Sequence, residues 1–410
     1  MGFLGFITRI RDRRHEVIDA ERGVVFSIAG FDLDGRTRSI ALTNGRNYPL
    51  PAYFSASRTL QVGEAFRIRD GRIDRIESTR HEFPYGMRTG FHATYDPSND
   101  VPGGASPDPL RSCDADCLVT LSDQLLAAMT ARDPQKAPLA DTLRYTENDQ
   151  RLEIYDGLWG TLTGVGANRL RVVEAERGTV QVIVRTVETD LPGILSLRLR
   201  VRGGRITEIE AAIVREEPTG AEELFRTRPP VEADPAGAAR FDPLFEQPLL
   251  PTQRRARLQL VALADRYLDA LAQGKGGEVQ FSADCSRRDN GVTVTGNAAL
   301  HAVFSPYALD CAAQLQSGYS AYIDRIRDRR IVAVDVERGL VATSAYYDIP
   351  GTLRQVTGRS GADIALPHVL ASPYTLAVQQ VFRIDGAAIQ RIEAVSKPLP
   401  YGARPAWRDR

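Results

Sequence analysis

A chain of 410 residues is longer than one small hydrophobic core organises, and it points to two to four domains. Hydrophobic residues make up 43% and charged residues 25%, the composition of a soluble globular protein. Lys plus Arg and Asp plus Glu each number 52, so no net field draws the whole molecule to nucleic acid or to an anionic membrane.

No apolar run approaches the roughly 20 residues of a membrane span. The opening stretch, MGFLGFITRIRDRRHE, has too short an apolar run for a secretory signal. The four cysteines, Cys113, Cys117, Cys285 and Cys311, are too few for a disulfide scaffold. They read as reduced, mostly buried thiols, and the cytoplasm is the default setting.

The first elements are strands. Residues 9–24, RIRDRRHEVIDAERGV, predict strand, turn, strand, and FRIRDGRIDRIE (66–77) predicts a hairpin that ends near Pro84-Tyr85-Gly86. The same order returns at an offset of 316. Residues 325–340 read RIRDRRIVAVDVERGL, identical at ten of sixteen positions. FRIDGAAIQRIE (382–393) and Pro400-Tyr401-Gly402 follow in register. A shorter third copy runs from Glu174-Ala-Glu-Arg-Gly178 to RVRGGRITEIE (200–210). It lacks the Arg-Asp-Arg-Arg run.

The first halves of the units repeat twice. LVTLSDQLLAAM (118–129) aligns with LVALADRYLDAL (260–271), and that offset brings Glu147-Asn148 onto Asp289-Asn290. Leu260, Leu263, Tyr267, Leu268 and Leu271 share one helical face. Asn290-Gly291 signals a tight turn into a strand. Leu315, Tyr319, Tyr322, Ile323 and Ile326 fall on one face of a second predicted helix.

These patterns divide the chain into an incomplete first unit (1–92), a linker (93–112), a middle unit (113–216), a Pro-rich linker (217–254) and a last unit (255–405). The first unit contains a second half only, as if the sequence began in mid-unit. Its apolar face should be covered by another part of the chain or by a second chain, unless the gene model begins too late. The first and last units, which share the Arg-Asp-Arg-Arg strand, are expected to pack as an intrachain pseudo-dimer, and a homo-oligomer is the other possibility.

The order helix, short strands, helix, antiparallel meander resembles the nuclear transport factor 2-like superfamily, which includes SnoaL-like polyketide cyclases and ketosteroid isomerases. LVALADRYLDAL, the segment 281–291 and FRIDGAAIQRIE carry the resemblance in the last unit. LVTLSDQLLAAM, Tyr145-Thr-Glu-Asn148 and Gly157-Leu-Trp159 carry it in the middle unit, which looks most like SnoaL-like domains of unassigned function. The resemblance implies an α+β fold of tandem cone-like units, each a curved antiparallel sheet packed on helices around an apolar pocket.

Such a pocket suits acid–base chemistry, because burial moves pKa values apart. In the last unit Asp284, Arg288 and Asp289 could hold a water or polarise a carbonyl, and Tyr319 and Tyr322 could donate to a substrate oxygen. The bland readings are a hydrogen-bonded turn with a surface ion pair, and aromatic packing, since Phe3 and Phe6 stand where the tyrosines do. Asp328 and Arg329, on the repeated basic strand, could clamp an anionic group or form a ladder between units. His301, Tyr145 and Glu147 complete the candidate substrate contacts.

The histidines His15, His81, His92, His301 and His368 show no metal-ligand spacing, and Cys113-x3-Cys117 has no matching second pair. No metal and no cofactor are expected. The function expected is a cofactor-independent acid–base enzyme of the lyase, isomerase or hydratase kind. Its substrate would be a small, largely apolar oxygenated molecule, aromatic or polyketide-like. The alternative is a non-catalytic array of units that bind a small molecule or one another. Nucleic acid and membrane are not expected partners.

Overall fold

A computed structural model describes residues 5–42, 45–50, 57–87, 101, 103–189, 191–215, 240–274 and 277–407. Phe3, His92, residues 93–100 and 102 of the first linker and 217–239 of the second lie outside them.

The first unit consists of β1 (Arg9–Asp19), β2 (Val24–Asp34), the small pair β3 (Ser39–Ala41) and β4 (Asn47–Pro49), β5 (Ser57–Arg69) and β6 (Arg72–Phe83). Its main sheet is antiparallel, in the order β1-β2-β5-β6. Among the described residues it contains no α-helix.

The middle unit opens with α1 (Ala115–Ala131). The Asp114 side chain caps it by accepting from Cys117 N at 2.9 Å, and Leu118, Leu121, Leu125 and Met129 form its buried stripe. Then come β7 (Leu139–Glu147), β8 (Gln150–Arg151), the one-turn α2 (Leu158–Thr161), β9 (Leu162–Glu174), β10 (Thr179–Glu188), β11 (Leu191–Arg202) and β12 (Arg205–Arg215). The sheet order is β8-β7-β12-β11-β10-β9, with β7 parallel to β12.

The last unit repeats this plan. It has α3 (Arg257–Gln273), β13 (Phe281–Asp289), β14 (Val292–Thr293), the short α4 (Cys311–Gln316), β15 (Arg325–Asp335), β16 (Leu340–Ile349), the pair β17 (Gln355–Thr357) and β18 (Asp363–Ala365), β19 (Tyr374–Asp385) and β20 (Ala388–Leu399). Its sheet runs β14-β13-β20-β19-β16-β15, again with one parallel pairing, β13 to β20. The three copies of the Glu-Arg-Gly turn place Gly23, Gly178 and Gly339 at φ near +60°, where a side chain would be strained.

The predicted helix over 315–326 stops early. Gly318 takes φ +76°, one 3-10 turn follows, and Ile326 already belongs to β15. The Asn290-Gly291 turn forms as expected, with φ +50° and +87°.

The Arg-Asp-Arg-Arg run has the same role in both copies. Asp12 and Asp328 sit at positive φ in β-bulges that break strand alternation. Arg9 and Arg11 therefore both reach Asp32, and Arg325 and Arg327 both reach Asp348, at 2.5–2.9 Å. Thr59 and Thr375 each donate to the same buried aspartate at 2.6 Å and accept from Gly86 N and Gly402 N at 2.8 Å. A buried carboxylate thus locks the strand run to the Pro-Tyr-Gly segment, twice.

Middle and last units pack sheet on sheet. Leu170, Val172, Ile183 and Ile194 meet Val332, Ala333, Leu340 and Val381, with Phe241 and Phe245 between. Arg330 reaches Glu210 at 2.5 Å, and Glu174 accepts from Val334 N at 3.0 Å. Among the described residues the strand 325–335 thus packs on the middle unit.

The first unit instead attaches to the middle unit through its Pro-Tyr-Gly segment. Gly157 N donates to Tyr85 O at 2.6 Å, and Met87 packs on the middle core. Among the described residues its sheet has no helix like the one that covers the last. Ile326, Val334, Ile384, Ile389 and Ile392 are core residues under α3. Their repeats Ile10, Ile18, Ile68, Ile73 and Ile76 are 38–69% exposed.

The cysteines are paired, Cys113 with Cys117 and Cys285 with Cys311, which corrects the expectation of free thiols. The first pair spans the start of α1, and the second ties β13 to α4. Both Cα separations, 5.3 and 5.9 Å, suit a disulfide. Disulfides persist in oxidising compartments, so the cytoplasmic default loses its basis. No helix of the described residues is long and apolar enough to cross a membrane.

Candidate functional site

The interior of the last unit holds a cavity of about 100 Å³. Strand β13 supplies its polar floor. Residues alternate along a strand, and here the odd positions face inward: Arg287 and Asp289 line the cavity. Arg287 Nε donates to Asp289 Oδ1 at 2.8 Å and Nη1 donates to the Tyr267 hydroxyl. The Arg287 backbone is fixed by Thr295 Oγ1, which accepts from its N at 2.9 Å. Burial pulls the Arg287 pKa down, but Asp289 and the surrounding tyrosines outweigh it and leave it well above the ordinary value.

The walls are aromatic. Tyr307, Tyr319, Tyr322, Tyr347 and Tyr374 line the cavity with Phe304 and Leu376. Burial pushes the pKa of all five phenols up, so they remain protonated donors at neutral pH. Tyr347 accepts from Gln380 at 3.4 Å. The hydroxyls of Tyr307, Tyr319, Tyr322 and Tyr374 make no hydrogen bond among the described residues. Gln314 on α4 is spent on structure, donating to Val294 O and Pro306 O at 2.6 and 2.9 Å.

Three of the five expected catalytic residues, Asp289, Tyr319 and Tyr322, are therefore together. The other two are not. Asp284 is 65% exposed and bonds Arg391 at 3.1 Å on the outer surface, a pairing that helps hold its pKa below the ordinary value. Arg288 points to the opposite face, toward Glu393 at 3.6 Å and Arg240 O at 3.1 Å. Arg287, one position away, holds the place expected of it. Its signal was parity, with Phe281 as the inward anchor of the strand, but 282–288 carries no apolar alternation to reveal it.

The expected substrate contacts also lie elsewhere. His301 is exposed and absent from the cavity wall. Asp328 is in the bulge with Arg327, and Arg329 bonds Asp269 of α3 at 2.5 Å. Tyr145 and Glu147 are buried in the middle unit. Glu147 accepts from Leu158 N at 2.8 Å, Arg215 at 2.8 Å and Tyr145 at 3.3 Å, and Arg215 also binds Glu188. Leu158, Trp159 and Leu162 fill the core around them. Among the described residues no group of His, Cys, Asp and Glu could hold a metal ion.

Three solved structures are similar to parts of the chain. A de novo designed protein with a curved β-sheet is 14% identical, covering 35% of this chain and 89% of its own, with a TM-score of 0.21. AclR from Streptomyces galilaeus, described as a hydroxylase, is 12% identical over 35% and 91%, TM-score 0.23. A protein from Kribbella flavida DSM 17836, described as a ketosteroid isomerase, is 18% identical over 30% and 96%, TM-score 0.20. At those scores none of the three fixes the fold or activity of this chain. Comparison with curated proteins finds no match. One family model matches both the first and the last copies, and its two matched stretches end 316 residues apart, at the same point of the repeat. The chain belongs to the family described as a domain of unknown function (DUF8021), whose model matches residues 1–80 and 253–396.

Proposed function

We propose that the last unit binds a small, largely apolar molecule through one oxygen atom. The supporting observation is the set of four phenol hydroxyls without protein partners around a cavity floored by Arg287. Hydroxyls turned into a cavity can each donate to a ligand oxygen, a net gain of about 0.5–1.5 kcal/mol per hydrogen bond. The volume limits the choice. A dry engineered cavity of about 150 Å³ holds benzene, so about 100 Å³ fits a ligand of a few heavy atoms up to a small ring. A polyketide-sized substrate would require the walls to move.

The test is calorimetric titration of the full chain with phenol, cyclohexanone and benzoate. Saturable binding of at least one is expected, weakened about tenfold by Tyr319→Phe with Tyr322→Phe. Binding that ignores the double substitution, or none at all, would remove the proposal.

A second reading, acid–base turnover in the same cavity, rests on Asp289. Among the described residues it is the one carboxylate lining the cavity, and Arg287 takes its Oδ1. Asp284 lies on the outer surface, so in this reading the role of base falls to Asp289. Asp289→Asn should then keep ligand affinity and lose exchange of the α-proton of bound cyclohexanone into deuterated water.

A further inference from the structure

We infer that the cleft between the middle and last units binds a compact soluble anion carrying two or more phosphate groups. The cleft has a volume of about 560 Å³. Six arginines line it, Arg144, Arg177, Arg198, Arg200, Arg202 and Arg330, against one carboxylate, Glu208. It is separate from the tyrosine cavity and shares no residue with it.

The local sequence explains the charge. In β11 the run Leu197-Arg-Leu-Arg-Val-Arg202 alternates strictly. Its apolar members belong to the middle core, and its arginines project from the other face toward β15. Across the gap stand Arg330, Ile331 and Val332. Trp407 closes one side, its indole Nε1 donating to Thr146 Oγ1 at 2.7 Å. The guanidiniums of Arg144 and Arg198 lie 4.0 and 4.5 Å from the indole ring centre, which orients them.

The carboxylates nearby do not neutralise the cleft. Arg198 is 5% exposed, donating through Nε to Glu210 at 2.6 Å and through Nη1 to Glu208 at 2.8 Å. Its Nη2 is buried with no hydrogen-bond partner. Arg330 shares Glu210, and Arg177 lies against Glu174 at 3.3 Å. Among the described residues the Arg200 side chain hydrogen-bonds only the Thr179 hydroxyl, at 3.1 Å, with Glu208 as its opposing charge. Burial, then Arg202, lowers the Arg200 pKa against the opposing pull of Glu208, with Arg198 and Arg177 adding to the fall. Arg200 and Arg202 line the cleft with no carboxylate hydrogen-bonded to either among the described residues, and like charges held this close favour a counter-anion.

The cleft, at about 560 Å³, is far larger than one phosphate, and Arg200 and Arg202 stand about 7 Å apart along one face of β11, a spacing that two linked phosphates span and one does not. A long nucleic acid is disfavoured, because outside the cleft the chain carries no net positive charge to guide it.

The chain has two tryptophans, Trp159 sealed in the middle core and Trp407 in the cleft, so indole fluorescence reports on the site. The experiment titrates the full chain with tripolyphosphate, orthophosphate and a single-stranded oligonucleotide at low salt, with thermal shift as a second readout. Tripolyphosphate should change the fluorescence saturably, raise the melting temperature and bind at least about tenfold tighter than orthophosphate. Arg200→Gln with Arg202→Gln should weaken it about tenfold or more while the unliganded melting temperature stays close to wild type, and Arg200→Lys should recover part of the loss. Absence of saturable binding at millimolar tripolyphosphate, unchanged affinity in the double variant, equal affinity for orthophosphate, or tighter binding of the oligonucleotide would each overturn the inference.

Discussion

Removing the Cys285–Cys311 disulfide tests whether β13 and α4 are held together chiefly by their cross-link. The bond closes a loop of 26 residues. In the chain-entropy treatment, opening a loop of that length frees about 12 cal/mol/K in the unfolded chain, or about 3.5 kcal/mol at 25 °C. For a unit of roughly 150 residues each kcal/mol shifts the melting temperature by about 2–4 °C, so Cys285→Ala with Cys311→Ala should lower it by about 7–14 °C. The Cys113–Cys117 bond closes only 4 residues at the start of α1. The same treatment gives about 2 kcal/mol there. Differential scanning calorimetry of the two double variants reads the comparison directly. Arg287 and Asp289 follow Cys285 on β13 and Gln314 follows Cys311 on α4, so the larger loss should come with weaker binding of any cavity ligand. If the short-loop variant costs as much as the long-loop one, the cross-link acts through local packing, and the loop argument is wrong.

Glu393 lies at the sheet-to-sheet interface with both oxygens lacking hydrogen bonds among the described residues, and burial raises its pKa from 4.5 to about 7 despite Arg288 and Arg185. Because the folded value lies above the unfolded one, stability falls as pH rises from 4.5 to about 7, by at most about 3 kcal/mol. Glu393→Gln should flatten that slope in urea melts, and a slope that persists in the variant rules Glu393 out as its source. Asp348 shows the opposite sign: its arginine and threonine partners outweigh burial and lower its pKa from 3.8 to about 2. That contribution, about 2 kcal/mol, is complete above pH 3.8 and gone below about pH 2, so Asp348→Asn should destabilise the chain at pH 7 and much less at pH 2. Ile389→Ala should cost about 2–5 kcal/mol and its repeat Ile73→Ala less than about 0.5. A cost of 2 kcal/mol at Ile73 would mean that the open isoleucine face is covered in solution.

The repeats, the turn glycines and the α3 stripe were legible because each is a local pattern with a local cause. The cavity floor was not. Between Ser282 and Arg288 β13 has no apolar alternation, so nothing told Arg287 from Arg288, and a slip of one residue exchanges the two faces. The bulges at Asp12 and Asp328 defeated the alternation rule in the same way, turning a supposed pocket clamp into a scaffold for Asp32 and Asp348. The pairing of middle and last sheets did have a signal. Val180 through Glu188 mixes Val, Ile, Gln, Arg and Thr with almost no exposed position, the mark of a strand covered on both sides, whereas β6 is charged and exposed throughout most of its length. The arginine face of β11 was equally visible in its period of two. The cysteine pairs depended on distances across the fold that a count of four could not supply.

The residues around Trp407 give the chain a clock. Ala406 N donates to Asp149 at 2.9 Å, its carbonyl accepts from Arg144, and the indole bonds Thr146, so the last residues complete a wall begun about 260 positions earlier. At ribosomal speeds of about 5–20 residues per second, that partner emerges roughly 13 to 50 s after β7. Until then the arginine row of β11 is exposed beside an unfinished interface, and the nascent middle unit must persist without its final brace.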